Sequence, residues 1–375
     1  MSSSTLFSPI NFRSLHLANR VLISPMCQYS AVDGSANDWH VVHLGHLGLS
    51  GPGLVFTEAT HVSAEGRITA KCLGLYSDEN EAGLARVVQF MRTWTQSPVG
   101  IQLAHAGRKG STAVPWEGGK SVSGAQAWET YAPSALAYDD GWQTPTALDP
   151  RGMEKIRADF VSSARRAVRL GFDMAELHFA HGYLAHQFLS PLSNVREDAY
   201  GGSLENRMRF PLELFRAVRD VWPADRPLGV RISATDYVEG GWTLDDSIVL
   251  ARALRGLGCD FIDCSSGGLS PAQKIDVVPG YQVPFAAAIR AQADVPTFAV
   301  GMIVDPRFAE EIVADGKADC VVLARAFLRN PRWTWDAADV LGGQPFVPNQ
   351  YLRGRDARFA INPAAAEETQ DRPAR

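Results

Sequence analysis

Short apolar runs alternate with longer amphipathic segments along most of the chain. The short runs are rich in β-branched residues and almost continuously hydrophobic, as is typical of strands that are buried on both faces of a parallel sheet. Eight runs fit this description: Arg20–Ser24, Gly53–Thr57, Val99–Leu103, Phe172–Leu177, Leu228–Ser233, Asp260–Cys264, Thr297–Val300 and Cys320–Leu323.

The segments between these runs carry their apolar residues on one helical face. Glu79–Thr95 and Pro150–Leu170 both show this periodicity, and Leu244–Leu257 begins after Thr243, a residue suited to cap a helix. Eight strand–helix repeats predict an α/β fold, a (β/α)8 barrel of the TIM type. A doubly wound open sheet is the alternative that the same alternation allows.

Two stretches depart from this repeat. Residues 104–148 form a long excursion after the third strand, rich in Gly, Ser, Trp and Pro, and we expect a small capping subdomain there. Residues 362–375 are polar and rich in Ala and Pro, so a disordered tail is expected. The prediction is therefore one domain over residues 1–361, with no internal boundary.

Composition narrows the function classes. The 375 residues carry a net charge of -5, with a pI of about 6.0, which disfavours nucleic acid or an anionic membrane as partner. No apolar run approaches the ~20 residues of a membrane span, and no secretory signal is visible. The five cysteines are odd in number and their spacing shows no disulfide framework, so we expect a reduced cytoplasmic setting. They form no C-x-x-C pair, so neither a zinc ribbon nor an iron–sulfur cluster is expected.

In such a barrel the active site lies where the strands end at their carboxyl side. The residues that follow these ends, together with Gln102 and Arg231 within their strands, are hydrogen-bonding groups, small residues and arginines. They include Ser24, Pro25, Met26, Cys27, Tyr29, Ala59, Gln102, His178, His181, Tyr183, Arg231, Gly301, Ala324 and Arg325.

His178 and His181 suggest a site for a developing oxyanion. If this segment begins a helical turn, the two imidazoles share a face and can donate to one oxygen, with the phenol of Tyr183 as a proton donor. Two other interpretations exist. The histidines could bind a metal ion, or they could have only a packing role. No third metal ligand of suitable spacing stands nearby.

The remaining candidates include two arginines, Arg231 and Arg325. Arg231, on a strand facing the interior, requires an anionic or strongly accepting partner, which is either a ligand or a structural carboxylate. Gly301, Ala324 and Arg325 follow the seventh and eighth strands, where such barrels commonly bind phosphate. The run from His40 to His46 has a spacing that drifts around a helix, so we interpret it as a helix with surface or packing histidines.

Three motifs together resemble the old yellow enzyme family, in its bacterial thermophilic-like, xenobiotic reductase-type branch. They are the segment from Ser24 to Tyr29, the His178–Tyr183 segment and the run from Asp198 to Arg207. The resemblance covers roughly residues 5–355. It implies a (β/α)8 barrel with an N-terminal hairpin and one non-covalent FMN.

The resemblance also implies roles for the candidate residues. Ser24, Pro25, Met26 and Cys27 would line the flavin, with Cys27 tuning its reduction potential. Ala59, Gln102 and Arg231 would hold its pyrimidine side, and Gly301, Ala324 and Arg325 its phosphate. His178 and His181 would bind the substrate carbonyl, Tyr183 would donate the proton, and Tyr29 would be a second phenol over the substrate.

The activity implied is an ene-reductase that uses NAD(P)H, with NADPH favoured, and passes hydride from flavin N5 to the β carbon of enones. Nitro compounds and other xenobiotics are further candidate substrates, and no metal is expected. The branch forms homodimers or homotetramers in which a C-terminal arginine, here Arg353, reaches a neighbouring active site. Three alternatives remain: a dihydroorotate or dihydrouridine type of FMN barrel oxidoreductase, a metal-dependent barrel hydrolase, and a flavin-storage barrel without turnover.

Overall fold

Eight parallel strands close on themselves in this computed structural model, which describes residues 4–355. The strands of the chain are β1 (Ile10–Phe12), β2 (Leu15–Leu17), β3 (Val21–Ile23), β4 (Leu54–His61), β5 (Val99–Ala104), β6 (Tyr131–Ala132), β7 (Thr146–Ala147), β8 (Met174–Phe179), β9 (Leu228–Ser233), β10 (Ile262–Ser265), β11 (Thr297–Ala299) and β12 (Cys320–Leu323). The barrel order is β3-β4-β5-β8-β9-β10-β11-β12, and β12 pairs back with β3. The predicted (β/α)8 barrel is confirmed, and the open sheet is excluded.

Helices follow the barrel strands and cover the outside of the barrel. They are α1 (Asp38–Gly48), α2 (Asp78–Trp94), α3 (Pro150–Leu170), α4 (Leu184–Leu189), α5 (Leu204–Arg219), α6 (Leu244–Gly256), α7 (Val283–Ala293), α8 (Pro306–Ala314), α9 (Arg325–Arg329) and α10 (Trp333–Leu341). The predicted cap at Thr243 is confirmed, because its side chain accepts a hydrogen bond from the Asp246 amide. The Asp246 carboxylate in turn accepts a hydrogen bond from the Thr243 amide.

Two strands, β4 and β8, end two or more residues later than the predicted runs Gly53–Thr57 and Phe172–Leu177. The register of β4 against β5 shifts between Phe56 and Ala59, and this bulge carries the strand on to His61. Ala59 therefore lies within β4 rather than after it. β8 runs from Met174 to Phe179, two residues later at both ends than the predicted run, and Gly171 ends the preceding α3 in the left-handed region at φ 82°. As a result His178 stands on the strand.

The amino end of the barrel is closed by the hairpin of β1 and β2. Phe12 of this hairpin packs edge-on against Phe298, with ring centroids 5.5 Å apart, inside a separate apolar cluster. Arg13 donates hydrogen bonds to the carbonyls of Ala224 and Gly258, in the turns that lead into β9 and β10. The opposite, carboxyl end is the open one.

Residues 104–148 leave the barrel after β5 and fold back against it. They contain three 3-10 helices (Gly107–Lys109, Pro115–Glu117, Gly124–Gln126) and the short parallel pair β6–β7. Arg196 fixes this segment by donating to the carbonyls of Pro133 and Leu148. The expected tail at 362–375 lies outside the described residues, and the single-domain division remains a prediction. Among the helices of residues 4–355, none is long and apolar enough to cross a membrane.

Candidate functional site

A cavity of about 410 Å³ opens at the carboxyl end of the barrel. It lies within the roughly 300–1,000 Å³ of typical cofactor and ligand pockets. Five of the residues predicted from strand ends line it together, and so do several residues that the sequence did not single out. The predicted ones are Ser24, Arg231, Gly301, Ala324 and Arg325, and the others include Ser265, Tyr281 and Gln282.

One end of this cavity suits an anionic group. Gly301 has a φ of 111°, and a β carbon at this position would approach the Gln282 side chain to 3.1 Å, so only glycine leaves this wall open. The helix α9 begins after Ala324 without a side-chain cap, and Arg325 is its first residue. Unpaired amides beside a guanidinium are the groups that bind phosphate.

The interior layer beneath the cavity contains a buried polar cluster. Arg231 donates from its guanidinium to Ser24 Oγ at 2.8 Å, and its Nε lies 3.4 Å from Asp263 Oδ2. Gln102 Nε2 donates to Glu176 Oε1 at 2.7 Å. The structural ion pair considered for Arg231 therefore exists, and Arg231 also borders the cavity through its contact with Ser24.

Two fully buried carboxyl groups face this single arginine. Desolvation and the negative charge of the neighbouring Asp263 raise the pKa of Glu176 well above its usual range. Desolvation also raises the pKa of Asp263, although the positive charge of Arg231 opposes this shift. We infer that Glu176 holds a proton, whereas Asp263, which lies beside Arg231, is the anion.

The imidazoles of His178 and His181 meet at the end of β8. His181 Nδ1 lies 3.4 Å from His178 Nε2, and the ring of Tyr183 stands 4.9 Å from that of His178. The expected helical turn is wrong, because His178 is on the strand and His181 is in a turn at φ 58°. The strand end and the left-handed residue bring the rings together instead.

Backbone packing fixes this turn. Gly182 and Gly268 lie so close to the facing backbone of the other loop that neither position has room for a β carbon. Lys109 Nζ donates to the carbonyls of both His181 and Gly268, at 2.9 and 2.7 Å, and His186 Nδ1 accepts from the Gly182 amide. The turn after β8 and the loop after β10 are therefore held as one unit.

The site has unusual titration properties. Desolvation, followed by the positive charge of Arg231, lowers the pKa of His178 and of His181 well below 6.5, so both imidazoles are neutral at pH 7. Desolvation raises the pKa of Tyr183 well above 10, which keeps its phenol protonated. Desolvation and then Arg108 lower the pKa of Lys109 to about 7.

Cys27 and two tyrosines form the other side of the site. Cys27, Tyr29 and Tyr183 pack against a small apolar cluster of Ile68, Cys72 and Ala106. Desolvation, with Cys72 and Glu58 adding to it, raises the pKa of Cys27 well above 9.0, so the group is a neutral thiol. Cys27 is therefore not an activated nucleophile.

The remaining predicted residues lie around this site or on the surface. Pro25 and Met26 are half-buried beside it, and Ala59 pairs in register with Gln102. Arg353 lies exposed in the 3-10 helix Asn349–Gly354. Its predicted role in a neighbouring subunit remains a prediction.

The histidine run belongs to α1, as expected, but it is only partly a surface feature. His40 is buried with its Nε2 3.3 Å from Glu58 Oε1, and its Nδ1 accepts from the Asn37 amide in a capping box. Desolvation lowers the pKa of His43 to about 4. Within residues 4–355, no group of three or more His, Cys, Asp or Glu residues could hold a metal ion.

Three residues that support the histidine pair, Ser265, Lys109 and Gln282, were not found from the sequence. Ser265 lies at the carboxyl end of β10, directly after the predicted run Asp260–Cys264, which is where the strand-end rule applies. Lys109 stands in the long excursion after β5, and Gln282 directly precedes α7. Nothing in the local sequence pattern indicates that either of them reaches the histidine pair.

Comparison with known proteins adds a family and relatives. Residues 5–341 match the model of the NADH:flavin oxidoreductase / NADH oxidase family. An NADPH dehydrogenase of Geobacillus sp. (strain WCH70) is 46% identical over 351 residues, which cover 93% of this chain and 98% of that protein. An NADPH dehydrogenase of Bacillus subtilis (strain 168) is 44% identical over 351 residues, with coverages of 93% and 98%. Morphinone reductase in complex with tetrahydroNAD matches with a TM-score of 0.75 and 28% identity, covering 92% of each chain.

Proposed function

Because the chain belongs to the NADH:flavin oxidoreductase / NADH oxidase family, we propose that it reduces carbon–carbon double bonds conjugated to a carbonyl group. It is an NAD(P)H-dependent flavin oxidoreductase of the old yellow enzyme type, and its cofactor is FMN. The proposal concerns the second substrate, for which enones are the chemical class that the histidine pair fits best.

The residues of the cavity fit FMN. The open wall at Gly301 and the uncapped start of α9 beside Arg325 suit its phosphate. Arg231 has a buried Nε without a well-formed hydrogen bond and faces the cavity beside Ser24, so it can meet the electron-rich pyrimidine edge of the flavin. Gln102 and Ala59 belong to the neighbouring strands on this side, and Pro25, Met26 and Cys27 would line the ring.

Bound FMN would supply the hydride chemistry, accepting hydride from NAD(P)H and delivering hydride to the β carbon of the enone. His178 and His181 bind the carbonyl oxygen in this proposal. Two neutral imidazole N–H groups aimed at one point stabilise the negative charge that develops on that oxygen. Because the pair is largely withdrawn from water, these hydrogen bonds act at a low local dielectric.

Tyr183 holds the proton that the α carbon requires. Its raised pKa keeps the phenol protonated before the reaction, and its ring lies beside His178, so the donor stands next to the bound carbonyl. Tyr29, packed against the same apolar cluster, borders the substrate on the other side. Both substrates would use the open carboxyl end in turn, which predicts ping-pong kinetics.

The single observation that carries the proposal is the 3.4 Å approach of His181 Nδ1 to His178 Nε2, with Tyr183 alongside. The test is an absorption spectrum of the purified protein under anaerobic conditions, first with NADPH and then with cyclohexenone. Flavin bands that bleach with NADPH and return with the enone, but not with cyclohexanone, support the proposal.

Other outcomes favour the alternatives. Bands that bleach on addition of a dihydropyrimidine, which donates its hydride to the flavin, and that cyclohexenone does not restore would favour a dihydroorotate or dihydrouridine type of enzyme. FMN that binds but is never reduced would indicate a storage barrel. The neutral, desolvated thiol of Cys27 speaks against the first of these, since it is poorly suited to act as an acid–base group.

We further propose that Arg353 completes the pocket of a neighbouring copy. Its 3-10 helix is fixed by Tyr351, whose ring lies 6.2 Å from Trp335 and packs against Arg332, while Arg353 itself is exposed. An Arg353→Ala variant is expected to raise KM for the enone in an oligomer of unchanged size, as measured by light scattering. A monomeric protein with full activity would contradict this role.

A further inference from the structure

A chain of hydrogen bonds through Gln282 and Ser265, called the relay below, leads from the start of α7 to the histidine pair. Ser265 Oγ lies 2.7 Å from His181 Nε2, and Gln282 Nε2 donates to Ser265 Oγ at 3.2 Å. Gln282 Nε2 also donates to Ser266 Oγ at 2.7 Å. Ser265 and Gln282 are each only 3% exposed, so water does not compete for these bonds.

The tautomer of His178 is set by its own strand end. Its Nδ1 accepts a hydrogen bond from the Ala180 amide at 3.2 Å, so this nitrogen carries no proton. Since the imidazole is neutral, its proton is on Nε2, the atom that faces His181.

His181 has two tautomers with opposite consequences. With its proton on Nδ1, the pair presents two N–H donors to one substrate oxygen. With its proton on Nε2, the bare Nδ1 accepts from His178 Nε2, and both groups are withdrawn from the substrate. The short distance between the rings makes the second state a genuine competitor.

The direction of the hydrogen bond at Ser265 decides between them. Because Gln282 donates to Ser265 Oγ, the hydroxyl proton of Ser265 is free to point at His181 Nε2, which then accepts. We propose that Ser265 and Gln282 are positioning residues that hold His181 as the Nδ1–H tautomer, so that both histidines donate to the substrate oxygen. This inference rests on the proposed binding of a carbonyl oxygen by the pair.

The direct test is the tautomer itself. The FMN-loaded, oxidised enzyme is labelled with ¹⁵N-histidine, and the imidazole nitrogens of His181 are assigned by comparison with a His181→Gln variant. The wild type with 4-hydroxybenzaldehyde bound, whose phenolate mimics the developing oxyanion, is expected to show Nδ1 protonated. A wild-type His181 protonated at Nε2 in this complex overturns the proposal.

Variants of the relay provide matched controls. Ser265→Ala removes the donor to Nε2, so His181 is expected to change to the Nε2–H form, and Ser265→Thr, which keeps a hydroxyl, is expected to restore Nδ1–H. Ser266→Ala removes the adjacent hydroxyl that Gln282 also contacts and should leave the tautomer unchanged. If Ser265→Ala keeps the wild-type tautomer, the relay does not set it.

Kinetics complete the test. One of two oxyanion donors is lost in Ser265→Ala, so the rate of flavin reoxidation by cyclohexenone should fall by roughly 10²-fold, as for other single oxyanion donors, and the phenolate should bind more weakly. Rates are compared between enzymes of equal FMN content, because Ser265 also lines the cavity proposed for FMN. Equal rates for Ser265→Ala and Ser266→Ala would contradict the proposal.

The two proposals can fail separately. The tautomer measured in the phenolate complex does not depend on turnover with an enone. A wild type with Nδ1–H that reduces no enone would refute the proposed function and leave the relay intact. An active wild type with Nε2–H would refute the relay alone.

Discussion

The two buried carboxyl groups in the barrel should respond differently to the same kind of substitution. Glu176 and Asp263 are both 0% exposed and face the single guanidinium of Arg231. If Glu176 carries the proton, Glu176→Gln replaces a neutral group by a neutral group of similar shape. Asp263→Asn instead removes the counter-ion and leaves a buried charge without a partner.

The expected loss of unfolding free energy therefore differs between the two variants. Removal of one partner of a buried ion pair costs about 3–5 kcal/mol of unfolding free energy. With an unfolding entropy of about 2.1 cal/mol/K per residue, a chain of this length should lose about 4–6 °C in Tm for Asp263→Asn. Glu176→Gln keeps the acceptor for Gln102, so its cost should be about 1 kcal/mol, or roughly 1 °C.

The assay is calorimetry of both variants at pH 7 with FMN held at the same excess. The dependence on pH adds a second readout. Because the folded-state pKa of Glu176 is raised, its contribution to stability is complete at low pH and is lost as the pH rises through that pKa. Glu176→Gln should therefore become more stable than the wild type toward alkaline pH. Equal losses in both variants at pH 7, or a larger loss in Glu176→Gln, would refute the assignment of the proton.

Three further predictions concern single residues of the site. Tyr183→Phe should slow flavin reoxidation by enones about 10²–10⁴-fold in stopped flow, as expected for a lost general acid, and an unchanged rate on every enone tested would remove this role. Lys109→Met removes two hydrogen bonds worth about 1.5–3 kcal/mol each, which should appear as a lower Tm. Because desolvation lowers the pKa of Lys109 to about 7, the wild type should gain stability relative to this variant as the pH rises above 7, and a constant difference from pH 6 to 9 would contradict that pKa. Cys27→Ala should shift the flavin reduction potential in a redox titration, and an unchanged potential would count against its place beside the ring.

Much of the barrel could be predicted from the chain because its strands are buried on both faces. Leu228–Ser233 and Cys320–Leu323 were predicted with the bounds that the structure has, and so was the helix Pro150–Leu170. The end of β4 was missed because a bulge depends on the pairing of two strands, which hydrophobicity in one segment does not encode.

The site was predictable only where it follows strand ends. That rule gave His178, Arg231 and Gly301, while the motifs added roles through the family resemblance. It could not give Lys109 or Gln282, because both lie on connecting segments whose course is fixed by tertiary packing. The protonation of Glu176 was also out of reach, since it depends on two strands placing carboxyl groups side by side.

The hairpin that closes the amino end of the barrel offers a handle for attaching the enzyme to a surface. Ala18, directly after β2, is exposed on that closed end. Of the five native cysteines, four are buried and Cys27 is half-buried, so an Ala18→Cys variant would present the accessible thiol. A maleimide-coated electrode or resin would then hold every molecule with the same orientation, its open end toward the solution.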